Sequence, residues 1–132
     1  MPTVVLGYVP KPEGEAALAA SIAEAQLRGA DLVVVNSHRS HHDDAGAHGR
    51  IQAELEEVRA RVEAAGVQVD LRHPETGFDA AEDLLAIADE VACELIVIGL
   101  RRRTPVGKLI LGSNAQRILL DASCPVLAVK SD

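Results

Sequence analysis

An α/β fold, a parallel sheet with helices packed on both faces, is predicted by three observations on this sequence of 132 residues. Short β-branched runs alternate with amphipathic stretches along nearly the whole chain, the pattern of repeated strand–helix–strand units. Two of those runs, residues 32–35 and 95–98, are wholly apolar, as strands covered on both faces are. The helical stretches are rich in alanine, which suits close packing of helix on sheet.

Each element has its own local reason. Residues 4–9 form a β-branched run stopped by Pro10 and Pro12, which predicts strand one. Residues 13–28 read as a helix: Ala17, Leu18, Ile22 and Ala25 keep a three-to-four spacing, acids open it and Gly29 follows it. Residues 32–35 are strand two, and a polar segment, 36–49, leaves it. Helix two shows Ile51, Leu55, Val58 and Val62 on one stripe and stops at Gly66. Residues 67–73 alternate strictly, so strand three has one buried face and belongs at a sheet edge. Asp79 with Glu82 makes a capping box for helix three, whose apolar face carries Leu84, Leu85, Ala88 and Val91. Residues 95–98 are strand four, 113–121 helix four and 125–129 strand five. There is no linker, repeat or low-complexity tract, so one domain spanning 1–132 is expected.

Composition excludes several functions. Tyr8 and Phe78 are the only aromatic residues, so the core is aliphatic and stacking on single-stranded nucleic acid has little to work with. A net charge of −7 argues against a duplex-binding surface. No apolar stretch approaches the ~20 residues of a membrane span. The first residues show no basic-plus-apolar leader. Cys93 and Cys124 stand far apart in sequence without metal-like spacing, as two separate packed thiols in a reducing cytoplasm would. A cytoplasmic protein with no nucleic-acid or membrane partner is expected.

The strongest functional signal is residues 95–114. An apolar run stops at Gly99, an arginine-rich loop follows, and Gly112, Ser113 and Asn114 open a helix. Strand, polar loop and helix N-terminus together suit an anion: loop and first-turn N–H groups point at it, and the helix dipole favours negative charge. Arg101, Arg102, Arg103 and Lys108 add positive charge. The loop is not a P-loop, because Leu109 follows Gly107 and Lys108, and its glycine spacing is not that of a dinucleotide fingerprint. A plain surface loop with solvated arginines and Ser113 as helix N-cap is the other reading, and spacing alone leaves both open. In open parallel sheets ligands bind beyond the carboxyl ends of the strands, where strand order reverses. If strands one and four are central neighbours, that crevice lies between residues 7–10 and the loop after Gly99.

His38, His41, His42 and His48, with Asp43 and Asp44, make a rival site suited to Zn, Ni or Cu. They lie on a polar segment without helical His pairing or a Cys partner, so solvated side chains are the expectation and no metal is assigned. Glu24, Glu54, Glu56, Glu57 and Glu63 read as solvated helix faces, with Glu57 and Arg61 an i, i+4 pair. Tyr8 belongs either to the core or to the crevice rim. No nucleophile elbow surrounds Ser113, and Cys124 before Pro125 reads as a packed thiol.

The strand-one loop entering an alanine-rich helix, the run 95–99, the loop to Gly112 and Ser113 and the ending 124–129 together resemble the universal stress protein family. The resemblance covers essentially the whole chain. It implies a Rossmann-like open sandwich: a five-stranded parallel sheet in the order 3-2-1-4-5 with four helices on both faces, usually as a dimer. Many members bind ATP through a Gly-x2-Gly-x9-Gly-Ser/Thr loop, which maps here onto Gly99, Arg102, Gly112 and Ser113, so the second glycine is absent. Binders commonly carry an Asp at the carboxyl end of strand one, where this chain has Val9. Arg102 either narrows the phosphate cradle or contributes bidentate contacts to phosphate.

The resemblance implies a stress-response regulator or interaction switch that binds ATP, with or without Mg²⁺, and is not a dedicated enzyme. Slow ATP hydrolysis would need a positioned base, which the sequence does not reveal. Gly99, Arg101, Arg103, Gly112, Ser113 and Asn114 would hold the phosphates, with Arg102 beside them, and Gly7, Val9 and Val35 would wall the base. The alternative is a nucleotide-free homodimeric interaction protein with a degenerate site. Strand five, apolar on both faces and placed at an edge by the family's order, is the expected homodimer seam, with Leu109 or Ile110 contributing. A further protein partner is expected but not identified by the residues.

Overall fold

The computed structural model describes residues 2–36, 45–74, 79–100 and 111–131, with backbone only for 45–48 and 51. The elements run β1 (Thr3–Tyr8), α1 (Pro12–Arg28), β2 (Asp31–Asn36), α2 (Ala45–Ala64), β3 (Val69–Arg72), α3 (Ala80–Glu90), β4 (Leu95–Leu100), α4 (Ser113–Asp121) and β5 (Val126–Lys130). The five strands form one sheet in the order β3-β2-β1-β4-β5. Every neighbouring pair is parallel.

Strand alternation divides the core in two. Val4, Leu6 and Tyr8 of β1, Leu32 and Val34 of β2 and Leu95 and Val97 of β4 pack with Ala17, Leu18 and Ala25 of α1 and Val58 and Val62 of α2. Val5, Val33, Val35, Ile96, Ile98 and Leu100 face the other way, onto Ala81, Leu84 and Ala88 of α3 and Ile118 of α4. Two helices on each face leave the central strands almost without solvent contact, which is why β2 and β4 read as unbroken apolar runs. Tyr8 is a core residue, 3 % exposed, and its hydroxyl donates to Glu15 Oε1 at 2.8 Å.

Three boundaries differ from the sequence reading. Helix α2 begins at Ala45, inside the stretch expected to be loop. Gly46 and Gly49 hid it, since each lowers helix propensity by about 1 kcal/mol relative to Ala. Strand β3 is four residues long because Val67 belongs to the end of α2. Gly66, at φ 79, donates to Glu63 O at 2.9 Å, and the Val67 N–H donates to Val62 O at 3.3 Å, a left-handed helix stop. Helix α4 is capped by Gly112 rather than Ser113, which is its first helical residue. The Gly112 carbonyl takes the Gln116 N–H at 3.0 Å.

The Asp79 expectation holds in half. Its carboxylate caps α3 by accepting from the Glu82 N–H at 2.8 Å. The Glu82 carboxylate turns instead to Arg117 of α4, accepting from Nη2 at 2.7 Å, while Arg117 Nη1 donates to Asp79 Oδ2 at 2.8 Å. Arg117 thus fastens the α4 helix to the start of α3.

Candidate functional site

The crevice follows from where two strands part. Pairing between β1 and β4 runs from Val4↔Leu95 to Leu6↔Val97. Beyond it, β1 stays on β2 through Tyr8↔Asn36, and β4 stays on β5 through Leu100↔Lys130. The sheet therefore splits at the carboxyl ends of its two central strands, where strand order reverses, the expected ligand position in an open α/β sheet.

A cavity of about 130 Å³ opens in the split on the α3/α4 face. Gly7 and Val9 contribute from β1 and its loop, Ile98 and Gly99 from β4, Ala81 and Leu84 from α3, and Asn114 and Ile118 from α4. Its walls are apolar and several are small. A Cβ on Gly7 would stand 3.3 Å from Leu84 Cδ2, so the absent side chain is part of what keeps the space open. The α4 N-terminus supplies the polar rim. Gly112, Ser113 and Asn114 are exposed there, and no side chain among the described residues caps the helix.

Electrostatics separates this helix start from those of α1 and α3. The first turn of α1 carries Glu13 and Glu15, and that of α3 carries Glu82 and Asp83 beside the Asp79 cap. The first turn of α4 has no acid. Uncapped N–H groups and the positive end of the dipole there face no competing carboxylate on their own helix.

A larger cavity, about 380 Å³, lies on the opposite face between β1, α1 and α2. Glu15, Glu54 and Glu57 line it together with Tyr8, Lys11 and Arg61. Arg61 was expected to pair with Glu57; its Nη1 donates to Glu15 instead, closing a Tyr8–Glu15–Arg61 chain. That ion pair, and then the Tyr8 hydroxyl, hold the Glu15 carboxyl below its ordinary pKa, and burial followed by Glu15 pushes the Tyr8 phenol up. Three carboxylates repel an anion, so the greater volume does not make this the anion site.

Of the residues expected to form the site, Gly7, Val9, Gly99 and Asn114 come together around the smaller cavity. Gly112 and Ser113 stand beside it at the start of α4. Val35 pairs with Gly7 in register and faces the same side of the sheet, but it is wholly buried beneath α3 and does not line the space. Arg101, Arg102 and Arg103 lie outside the described residues, as do Leu109 and Ile110. So do His38, His41, His42, Asp43 and Asp44, and the His48 side chain; among the described residues no group of three metal-ligating side chains forms.

Gly99 has a role beyond the one its place in the loop indicated. A Cβ there would fall 2.2 Å from the Glu13 carbonyl oxygen, so the glycine lets the α1 backbone close against β4. Ala80, Ala81, Leu84, Ile98, Ala115 and Ile118 line the smaller cavity without having been among the expected site residues. The signal available was the pair of small residues directly after the Asp79 cap. Among the described residues no helix is long and apolar enough to cross a membrane.

Comparison with known proteins agrees with this architecture. The chain is 44% identical over 129 residues to a universal stress protein of Mycolicibacterium smegmatis, covering 96% of each chain. The structure of a universal stress protein from Archaeoglobus fulgidus superposes with a TM-score of 0.82 at 31% identity, covering 98% of both chains. A universal stress protein from the same organism, solved in complex with dAMP, superposes at 0.76 with 26% identity and the same coverage. A sequence model of the universal stress protein family matches residues 1–130, and with the parallel order β3-β2-β1-β4-β5 in place, the chain belongs to that family.

Proposed function

We propose that the split between β1 and β4 binds an adenine nucleotide, ATP with or without Mg²⁺, and that the protein works as a ligand-dependent binding module rather than a catalyst. The observation that carries this reading is the α4 N-terminus, with no acid in its first turn and no side-chain cap among the described residues, at the rim of an apolar cavity. At about 130 Å³ the cavity is smaller than the roughly 300–1,000 Å³ of a whole ligand pocket, and suits the apolar part of a ligand. The base would lie against Gly7, Val9 and Leu84. The phosphates would lie over Gly112, Ser113 and Asn114, with Arg101, Arg102 and Arg103, which follow β4 in sequence, as counter-charges. The dAMP complex of the Archaeoglobus fulgidus relative supports this ligand class.

Assembly belongs to the same reading. β5 is an edge strand whose Leu127 is 37 % exposed, and a second copy of this chain laid along it would cover that edge. The module would then act in stress-response regulation by presenting a surface that changes with nucleotide, in the cytoplasm.

Titration calorimetry with ATP, ADP and AMP, with and without Mg²⁺, tests the proposal. Binding is expected, and Ser113→Ala is expected to weaken it by about 1.5–3 kcal/mol, the worth of a hydrogen bond to a charged group. Absence of heat and of any thermal shift at millimolar nucleotide would overturn it. That result would favour the nucleotide-free interaction protein, which Val9 supports by placing no carboxylate at the crevice where a ribose or base would be held.

A further inference from the structure

Cys93 and Cys124 are 31 positions apart, yet the fold brings their sulfur atoms to 3.3 Å. Two anchors produce the approach. Helix α3 ends in a left-handed stop at Ala92, φ 51, where the Ala92 N–H donates to Asp89 O at 3.2 Å and the Cys93 N–H to Ala88 O at 3.1 Å. Glycine is the usual occupant of that conformation, so a side chain is tolerated here at some strain. From the other direction, Ser123 Oγ donates to Asp89 Oδ1 at 2.9 Å and ties the residue before Cys124 to the end of the same helix. The ladder then starts at once, with the Ile96 N–H on Pro125 O at 3.0 Å and Ile96 opposite Val126. Both thiols are free and half-buried, beside the α3/α4 core. They sit at the amino ends of β4 and β5, away from the proposed nucleotide crevice at the carboxyl ends.

We propose that Cys93 and Cys124 are a paired oxidation site, forming a reversible intramolecular disulfide when the protein meets a hydroperoxide. The thiolate sulfur of one cysteine attacks a peroxide oxygen, the O–O bond breaks, and the departing oxygen leaves as alkoxide or hydroxide and takes up a proton. That cysteine is then a sulfenic acid. The sulfur of the other displaces its hydroxyl, which leaves with that thiol's proton as water, and the S–S bond forms. Two thiols give up two electrons and two protons, and the peroxide is reduced by the same count. The sulfurs must close by about 1.3 Å to reach the bonding distance of ~2.05 Å. Burial, and then the hydrogen bond with Cys124, push the Cys93 thiol above its ordinary range, so the pair rests as thiols until an oxidant arrives. The bond would staple the edge strand β5 to β4 and close a loop containing α4.

The test uses the whole protein treated with hydrogen peroxide, followed by thiol capping under denaturing conditions and intact-mass measurement. A loss of about 2 Da, no caps added and a joined Cys93–Cys124 peptide reversed by dithiothreitol are expected. The oxidised form is expected to melt about 5–10 °C above the reduced one, because the loop is closed in the unfolded chain. Cys93→Ser and Cys124→Ser are each expected to abolish the bridge and leave on the remaining thiol a sulfenic acid that dimedone traps. Two thiols still capped after peroxide, a bridge formed only between molecules, or sulfinic acids in place of the bridge would each overturn the proposal. None of these readouts involves nucleotide, so they stand or fall separately from the crevice.

Discussion

Replacing Gly14 by alanine would put a methyl carbon 1.7 Å from the Val9 carbonyl oxygen and 2.7 Å from its carbon. An ordinary C···O contact is about 3.3 Å, so the overlap is about 1.6 Å. The neighbour is backbone and cannot swing aside, because the same carbonyl accepts the Lys11 N–H at 2.8 Å. Helix propensity alone would reward the change, since alanine is about 1 kcal/mol better than glycine inside a helix. Overpacking typically costs about 1–3 kcal/mol and more against rigid neighbours, so sterics win and a net loss of about 3 kcal/mol is expected. For a chain of this size that lowers the melting temperature by about 10 °C. Gly49→Ala supplies the opposite control. It too lies within a helix, with nothing among the described residues within 4 Å of its missing Cβ, and it should gain up to about 1 kcal/mol. Urea denaturation followed by circular dichroism reads both. A Gly14→Ala protein as stable as the parent, or more so, would refute the tight approach of α1 to the end of β1 on which the shape of the crevice depends.

Two further outcomes follow from the same geometry. Asp79→Ala removes both the cap on the Glu82 N–H and one carboxylate of the Arg117 clasp, and should cost about 1–2 kcal/mol in denaturant melts; a loss within experimental scatter would mean that water replaces the cap without penalty. Leu127→Glu places a charge on the proposed seam of the β5 edge, and should turn a dimer into a monomer by light scattering at micromolar concentration, whereas a parent protein already monomeric at high micromolar concentration would remove the seam altogether.

Much of the sheet was legible because burial on two faces writes an unmistakable signature. Residues 32–35 and 95–98 have no polar side chain, and both lie in central strands. The alternation in 67–73 marked an edge for the same reason in reverse, since β3 is the outer strand beside β2. Helix ends were harder. Ser113 looks like a cap by residue type, but the extended conformation fell on Gly112, a choice set by how the preceding chain enters rather than by side-chain preference. Long-range pairs were beyond reach. Nothing at i, i+4 on α2 reveals that Arg61 reaches Glu15 across two helices. Nor does cysteine spacing show that two strand entrances stand side by side. Glycines were visible as punctuation, but whether each one serves a ligand, a neighbouring backbone or a turn is a property of the packed molecule. Gly99, crowded by the α1 backbone, and Gly112, with nothing described within 4 Å, separate those roles.

The placement of β1 in mid-sheet also has a consequence for how the chain emerges during synthesis. Its partner on one side, β2, follows within a few dozen residues, but its partner on the other side is β4, with β2, α2, β3 and α3 made in between. Until Leu95 to Val97 arrive, the backbone of Val4, Val5 and Leu6 is an open edge on a sheet that already has three strands. At roughly 5–20 residues per second, the interval from the end of β3 to the end of β4 lasts on the order of seconds. During that time the apolar edge of β1 is free to pair with another nascent chain, and the arrival of β4 covers it and passes the open edge on to β4 until β5 is made.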